Sequence, residues 1–125
     1  MTGTSTPDLR RVALGAYGEA LAERHLTGLG MVVLDRNWRC SAGEIDLVLR
    51  DGQVLVICEV KTRTSDQCGA PLEAITATKV RRLQRLSRLW MERHGVRVND
   101  VRLDVVGVLR PPRGAALIEH VRGVG

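Results

Sequence analysis

Two segments of the chain place apolar residues at the 3.6-residue spacing of an amphipathic helix. The first runs from about Asp8 to Thr27, and the second from about Thr76 to His94. Gly28 and Gly30 follow the first segment and Gly95 follows the second, and glycine is common just past a helix end. The apolar stripes are Leu14, Tyr17 and Leu21 in the first segment, and Val80, Leu83, Leu86 and Trp90 in the second.

Five shorter segments are rich in Val, Ile and Leu or alternate apolar with polar residues, which predicts strands. Asp35 to Ala42 is polar and is predicted to connect the first two strands. The second helix links the third and fourth strands, a connection typical of parallel neighbours. The predicted order is therefore helix, three strands, helix, two strands. The strands are Met31–Leu34, Ile45–Leu49, Val54–Val60, Val101–Leu109 and Ala116–Val121.

The second and third strands flank Asp51-Gly52, which favours a two-residue hairpin loop. Alternation of side chains along such a hairpin places Asp46, Glu59 and Lys61 on the same side of it. In the expected register, Asp46 and Glu59 are diagonal neighbours with Cβ atoms roughly 7–8 Å apart. This register pairs Arg50 with Gln53, Val48 with Leu55, Asp46 with Ile57 and Glu44 with Glu59.

Two carboxylates this close on interior strands repel each other and lose hydration. A divalent cation between Asp46 and Glu59 would remove the repulsion, and Mg²⁺ prefers carboxylate oxygens. Lys61 lies about 6.6 Å beyond Glu59 along the strand and adds one cation at the edge of the site. Glu44 is either an outer carboxylate of this site or a solvated residue at the strand end. The arrangement is typical of a metal-dependent phosphodiesterase.

Asp46, twelve intervening residues and then Glu59-Val60-Lys61 resemble the signature of the PD-(D/E)XK nuclease superfamily, although Ile45 stands where that signature has proline. The resemblance implies that Asp46, Glu59 and Lys61 are catalytic. It also implies that Mg²⁺, or Mn²⁺ in its place, is held by Asp46, Glu59 and the backbone carbonyl of Val60. The products would carry a 5′-phosphate and a 3′-hydroxyl.

The segments Asn37–Arg39 and Gly43–Leu47 are similar to those of the YraN family of small bacterial proteins. That family resembles archaeal Holliday-junction resolvases in fold. The resemblance extends from about Gly15 to Val108. It implies an α/β fold with a restriction-endonuclease-like core, in which helices flank a mixed central sheet in the order αβββαββ.

Glu19 is a further candidate, on a stripe of small residues formed by Gly15, Gly18 and Ala22 in the first helix. The small residues would let this helix approach the sheet closely. The pattern alone favours a solvated helix glutamate. The resemblance implies instead a catalytic, metal-binding carboxylate, because related nucleases place a carboxylate of the first helix beside the metal. Glu23, one turn later, is the alternative candidate.

The formal net charge of +5 favours a polyanionic partner. Lys79 and Arg82, one turn apart on the second helix, are predicted to contact a DNA or RNA backbone, the alternative being a solvated helix face. Arg39 either contacts a phosphate or fixes its connection through backbone hydrogen bonds. Arg63 lies in a polar segment, Thr62 to Pro71, which is predicted to be a mobile loop that contacts the substrate.

The chain of 125 residues is long enough for one domain. Residues 1–7 are predicted to be a disordered lead and residues 8–122 a single nuclease-like domain. No stretch has the length and apolarity of a membrane span, and no signal-peptide core is present, so a cytoplasmic protein without a membrane partner is expected. The cysteines lack the spacing of a zinc site or a disulfide framework: Cys40, Cys58 and Cys68. The histidines are interpreted as ordinary surface residues: His25, His94 and His120.

The leading hypothesis is an endonuclease-like, Mg²⁺-dependent phosphodiester hydrolase that acts on nucleic acid. DNA is the favoured substrate, and branched DNA enters only by analogy of fold. The alternative is a non-catalytic nucleic-acid-binding module that retains the nuclease fold. A purely structural domain would leave the paired carboxylates unexplained. Resolvase-like proteins pair as dimers, so a homodimer is possible.

Overall fold

The computed structural model describes residues 8–64 and 75–125. The predicted disordered lead, residues 1–7, lies outside the described residues, and so does the predicted loop from position 65 onward. Thr62 and Arg63 were assigned to that loop but belong to a strand. In the described part of the chain, no helix is long and apolar enough to cross a membrane.

Within residues 8–64 and 75–125, two helices and five strands form a mixed α/β structure, which confirms the predicted class. The strands make one sheet in the order β1-β2-β3-β4-β5. Strands β3 and β4 are parallel, as predicted from the helix between them, and the other neighbours are antiparallel. The elements are α1 (Leu9–Gly28), β1 (Val32–Cys40), β2 (Gly43–Asp51), β3 (Val54–Thr64), α2 (Ala77–His94), β4 (Asp100–Arg110) and β5 (Leu117–Val121).

The helices cover opposite faces of the sheet, and each completes its own hydrophobic cluster. Neighbouring strand residues alternate between the clusters: Val56 and Cys58 pack with α1, whereas Leu55 and Ile57 pack with α2. Each fully buried side chain of this size contributes about 1.5–3 kcal/mol of hydrophobic stabilisation. The helix contacts come from Ala22 and Leu26 of α1, and from Leu83, Leu86 and Trp90 of α2.

Helix α2 has well-defined ends. The hydroxyl of Thr76 accepts a hydrogen bond from the Lys79 N–H at 3.2 Å, which satisfies one of the free donors of the first turn. Gly95 ends the helix in the left-handed conformation, with φ of 63°, as predicted for a glycine at this position. The cap fixes the start of α2, and with it the position of Lys79.

Strand β1 is longer than predicted. It continues through the segment that the sequence assigned to a polar connection and ends at Cys40. The polar side chains fit because β1 is an edge strand whose residues find partners on the helices. Asp35 accepts a hydrogen bond from the Trp90 indole at 2.9 Å, and Arg36 bonds Glu23 of α1.

The predicted hairpin register is wrong by two residues. Asp51 pairs with Val54, so the loop is Gly52-Gln53 rather than Asp51-Gly52. Gly52 has the positive φ, 59°, that such a tight loop requires. A shift of two does not by itself change the face from which a side chain projects, because the side-chain period is two. The last pair of this ladder is Leu47–Cys58, just before Asp46 and Glu59.

Candidate active site

Strands β2 and β3 separate at one end of their hairpin. Their pairing runs from Asp51–Val54 to Leu47–Cys58, beyond which β2 pairs on with β1 and β3 pairs on with β4. We call the opening between Gly43–Asp46 and Glu59–Lys61 the fork. The Asp46 carboxylate closes its inner end, because its Oδ2 accepts a 2.8 Å hydrogen bond from the Val60 N–H.

The regular alternation of β2 breaks at Asp46. Ile45 packs in the α2 cluster and Leu47 in the α1 cluster, although residues two apart on a regular strand share a face. Asn37, which faces Asp46 between two regular pairs of the β1–β2 ladder, has a φ of 49°. Asparagine tolerates this left-handed conformation better than most residues. The local distortion turns Asp46 and Leu47 into the same cleft beside α1.

The prediction that Asp46, Glu59 and Lys61 project from one side of the hairpin is therefore wrong. Asp46 lies in the cleft lined by α1, whereas Glu59 and Lys61 interact with residues of α2. The physical reason is the break in alternation at Asp46, which no hydrophobic pattern reveals. The three side chains still meet at the fork, which they approach from both sides of the sheet.

The pKa of the Asp46 carboxyl group is well above its ordinary value. Its pKa is raised from 3.8 to about 6, chiefly by burial, against the opposing effect of the Val60 N–H. The negative charges of Glu19, Glu59 and Glu44 contribute to this increase. Burial and the neighbouring negative charges therefore favour the protonated form of Asp46. A bound cation would favour the ionised form and displace the proton.

Glu19 comes to the same cleft of about 600 Å³ as Asp46, and α1 lies close enough to bring it there. A Cβ atom on Gly18 would lie 1.7 Å from the Thr62 hydroxyl oxygen, so only glycine permits this approach. Burial and the charge of Glu44 raise the pKa of Glu19. The Asn37 amide, with its nitrogen turned toward Glu19, donates to both carboxylate oxygens at 2.9 and 3.3 Å.

No role at the site was predicted from the sequence for the side chain or the backbone of Asn37. Asn37 was named as part of the family-like segment Asn37–Arg39, yet its amide bonds Glu19 and its left-handed backbone lies opposite the break at Asp46. An asparagine within a strand-forming segment is the one signal that could have indicated a left-handed residue. Glu23, the alternative to Glu19, lines the cleft but is paired with Arg36 at 3.1 Å.

Basic residues lie on the α2 side of the fork. Lys61 and Lys79 are within hydrogen-bonding reach of each other, and burial followed by the charge of Lys79 lowers the pKa of Lys61. Glu59 acts in the opposite direction, and Arg63 is close enough to add to the lowering. Arg82 lies 3.7 Å from the Glu59 carboxylate. Two lysines held side by side form a local excess of positive charge suited to an anion.

Arg39 occupies a different position from the other predicted nucleic-acid contacts. Its guanidinium lies 3.4 Å from the Glu44 carboxylate, and its side chain is 78% exposed. Glu44 is exposed near the N-terminal end of β2, as one of its two predicted alternatives has it. Its negative charge raises the pKa of Asp46, and its assignment as an outer carboxylate of the site stays a prediction. Arg39 is thus beside the fork but on its outer rim.

The carboxylates of the fork suit a magnesium ion in number and kind. Within residues 8–64 and 75–125, no three His, Cys, Asp or Glu side chains are arranged as a metal site. Mg²⁺ does not need such a cage, since it keeps several waters and is bound through one or two carboxylates together with substrate phosphates. Asp46 and Glu59, whose charges act on each other, are two carboxylates that could bind an ion in this way.

Comparison with known proteins gives a family but no activity. A family model described as "Uncharacterised protein family UPF0102" matches residues 18–108. A UPF0102 protein of Nocardioides is 59% identical over 125 residues, covering 100% of both chains. Relatives of the same name from Streptomyces coelicolor and Kineococcus radiotolerans are 56% and 58% identical, and they cover 91% and 90% of this chain and 89% and 93% of their own.

Proposed function

The chain belongs to the UPF0102 family, and we propose that it is a metal-dependent phosphodiester hydrolase of the PD-(D/E)XK type that acts on nucleic acid, with DNA favoured. One observation carries the proposal. Asp46, a largely buried carboxylate with a pKa of about 6, is held at a strand fork within reach of three other carboxylates. Lys61 stands on the other side of the same fork. A structural role alone does not account for gathered, partly desolvated carboxylates.

The proposal includes a fold assignment. A mixed sheet with α1 and α2 on opposite faces, opened between β2 and β3, is consistent with a restriction-endonuclease-like core. The opening is important because the polar side chains of Asp46, Glu59 and Lys61 lie where β2 and β3 no longer pair with each other. This supports the likeness to the PD-(D/E)XK superfamily that the motif Asp46…Glu59-Val60-Lys61 indicates.

Asp46 and Glu59 would hold one or two Mg²⁺ or Mn²⁺ ions, with Glu19 and the Val60 carbonyl as further ligands. Such an ion polarises the scissile phosphate and lowers the pKa of a bound water. Asn37 fixes Glu19 for this role, because its amide bonds both carboxylate oxygens. Lys61 would orient the attacking water or stabilise negative charge that develops on the phosphate. Lys79, whose positive charge lowers the pKa of Lys61, would add a second cation beside the phosphate.

The nucleic acid would lie along the α2 side of the fork. Lys79 and Arg82 start this surface, and Arg63 extends it along β3. Arg39 lies on the outer rim, where it would contact a phosphate further along the strand. Contacts of this kind bind the backbone irrespective of sequence.

A second candidate function is a nucleic-acid-binding module that does not turn over. The observation that favours it is the ion pair between Arg82 and Glu59, because a protein cation there already neutralises one of the carboxylates. A metal ion at Glu59 must compete with this arginine. The two candidates differ in the expected effect of Asp46→Asn. In a nuclease, the variant loses cleavage and keeps its affinity for nucleic acid, whereas in a binding module the affinity is unchanged and there is no cleavage to lose.

Cleavage of labelled DNA tests the proposal. Linear, flapped and four-way substrates would be incubated with wild type, Asp46→Asn and Lys61→Ala, each with Mg²⁺, Mn²⁺ or EDTA. Asp100→Asn, at the exposed start of β4, is the matched control for removing a carboxylate charge. We expect the wild type and the control to cut DNA in a metal-dependent way. The cleavage rate of each site variant should be lower by 10²-fold or more, on the order of the loss of one catalytic group. Salt-sensitive binding without cutting on any substrate would replace the nuclease with the binding module.

A further inference from the structure

The aromatic side chains of this chain are few and unevenly placed. The sequence has two tryptophans, one tyrosine and no phenylalanine. Both tryptophans lie where the end of α2 crosses β1, and His94 lies between them. The His94 ring is stacked on Trp90, with centroids 4.3 Å apart, and meets Trp38 edge-on at 6.1 Å. We call Trp38, Trp90, Arg93 and His94 the aromatic cluster.

Hydrogen bonds hold the aromatic cluster in a fixed arrangement. The Trp90 indole donates to Asp35 Oδ2 at 2.9 Å, and His94 Nε2 lies 3.6 Å from the same oxygen. His94 Nδ1 lies 2.8 Å from the Trp90 carbonyl, which can only accept, so Nδ1 carries a hydrogen. Trp90 is buried and forms the floor, whereas the His94 side chain is 37% exposed and Trp38 is half-buried. The cluster therefore presents preorganised ring surface to solvent.

The Arg93 guanidinium lies over the Trp38 ring without contacting it closely. The guanidinium carbon of Arg93 is 6.0 Å from the centroid of the Trp38 ring. Direct contact between flat groups needs only 3.5–4.0 Å. A small movement of this flexible, exposed arginine would admit one more flat ring between the two groups. A nucleobase has that shape, and both tryptophan and arginine planes are stacking partners for bases.

The cluster is connected to the fork by one side of α2. Arg82 reaches the fork, where it lies 3.7 Å from Glu59, and Arg93 reaches Trp38. Eleven residues separate the two arginines, which is about three helical turns and ~16 Å of rise, so both project from the same side of α2. Arg85 lies between them on that side and is exposed.

We propose that Trp38 and His94, covered by Arg93, form a stacking site for an unpaired nucleobase of a strand whose phosphate is held at the fork. The inference rests on the proposed function and narrows it: the preferred substrate has a single-stranded segment next to the site of cleavage. The arginines along α2 follow its backbone, and the aromatic cluster binds a base. Positive charge combined with stacking surface is the way single-stranded nucleic acid is bound without sequence preference.

The test measures equilibrium affinity by fluorescence anisotropy, without metal, so that cleavage plays no part. Labelled oligodeoxythymidine, oligouridine, a blunt duplex and an abasic deoxyribose-phosphate strand are compared on the wild-type protein. We expect the abasic strand to bind roughly 5- to 150-fold more weakly than the thymidine strand, the range for loss of one stacked base. The uridine strand decides whether the site prefers DNA or RNA, and base-dependent binding of either one supports the inference.

Variants then assign the stacking to Trp38. Trp38→Leu should weaken single-strand binding by the same factor and leave duplex binding unchanged, and Trp38→Phe should restore most of the loss. Tyr17→Leu, which removes the aromatic residue of α1 on the other face of the sheet, is the control and should change neither. In a Trp90→Phe background, where Trp38 is the sole tryptophan, saturating oligodeoxythymidine should quench its emission.

The outcomes separate this inference from the proposed function. Equal affinity for abasic and thymidine strands would overturn the stacking site while leaving a salt-sensitive, duplex-binding nuclease intact. Equal single-strand binding by wild type and Trp38→Leu would do the same. Absence of binding to every nucleic acid at low salt would overturn both proposals together.

Discussion

Asp46 is the residue on which the chemistry depends. Its carboxylate is held by one backbone N–H, surrounded by other acids and removed from most of the solvent. The repulsion between strand-borne carboxylates and their loss of hydration were predicted correctly from the sequence, whereas the hydrogen bond from the Val60 N–H was not predicted. The face from which Asp46 projects could not be predicted, because it depends on the backbone at Asn37.

Asp46→Asn should stabilise the metal-free protein at pH 8. The folded-state pKa of about 6 lies above the unfolded value of 3.8, so ionising Asp46 costs the folded state free energy. This cost is complete above about pH 6 and absent below about pH 4. A shift of ~2 units sets an upper limit of ~3 kcal/mol, and we expect a gain of about 1–3 kcal/mol at pH 8 that disappears at pH 4.

Urea unfolding at the two pH values measures this difference. The asparagine oxygen can still accept the Val60 N–H, so the variant isolates the loss of charge. Asp100→Asn, in which the carboxylate is exposed, should change the free energy of unfolding by less than about 0.5 kcal/mol at either pH. A variant that is less stable than wild type at pH 8 would show that the ionised carboxylate is satisfied in the fold.

The histidines show how residue-scale prediction fails. His120 was interpreted as a surface residue, but its side chain is 8% exposed and its Nε2 lies 2.8 Å from Asp104. The partner lies sixteen residues away on a neighbouring strand. Composition and periodicity contain no information about such a pair, because it forms only once β4 and β5 are side by side.

At the scale of elements, α1 is positioned by one glycine. Gly18→Ala would force the new Cβ against the Thr62 hydroxyl and push α1 away from β3. We expect a loss of about 1–3 kcal/mol, typical of overpacking a tight contact. Gly15→Ala in the same helix is the control, because nothing lies within 4 Å of its added Cβ, and alanine there should be neutral or stabilising by up to about 1 kcal/mol. Equal effects on unfolding in urea would contradict the close approach.

Helix α2 supplies the proposed phosphate contacts, and their loss should change the salt dependence of binding. Lys79→Ala and Arg82→Ala should each weaken DNA binding at low salt and reduce the slope of log affinity against log salt by about one. Arg97→Ala, in the exposed connection before β4, removes the same charge away from the fork. An Arg97 variant as weak as the other two would mean that net charge rather than this surface binds the DNA.

Element bounds were predictable where apolar residues continue through the whole element. The two helices and the strands β3 and β4 agree with their hydrophobic patterns to within a few residues. Strand β1 was cut short because its outer half is polar, and an edge strand can satisfy such side chains from the helices. The hairpin register was missed because Asp51-Gly52 and Gly52-Gln53 both offer a glycine to the loop.

At the scale of the whole molecule, Asp104 is the centre of a hydrogen-bond network that connects β4, β5 and the residues after β5. It is fully buried and accepts hydrogen bonds from Arg102 at 2.8 and 3.1 Å, from His120 at 2.8 Å and from the Gly123 N–H at 3.2 Å. Arg102 also bonds Asp51 at the hairpin loop. Burial alone would raise the pKa of Asp104, but the bonds from Arg102 and His120 hold it below its ordinary value.

Asp104→Ala should cost about 3–5 kcal/mol, because it leaves Arg102 and His120 without their shared partner in a buried site. Asp51→Asn removes the partly exposed partner and should cost no more than about 1 kcal/mol. The depressed pKa means that the stabilisation by Asp104 is present above about pH 4 and is lost as the pH falls through the folded value. Thermal unfolding monitored between pH 3 and 7 tests both statements, and a mild effect of Asp104→Ala would contradict them.

The proposed hydrolase requires a metal site at the fork, and Mn²⁺ binding followed by electron paramagnetic resonance measures this directly. Wild type should bind Mn²⁺ at pH 7.5, Mg²⁺ should compete, and Asp46→Asn should bind at least tenfold more weakly, whereas Asp100→Asn should match wild type. Added DNA should tighten binding, since a phosphate supplies further oxygen ligands. Mn²⁺ affinity that is absent from the wild type, or unchanged in Asp46→Asn, would contradict the metal-dependent site.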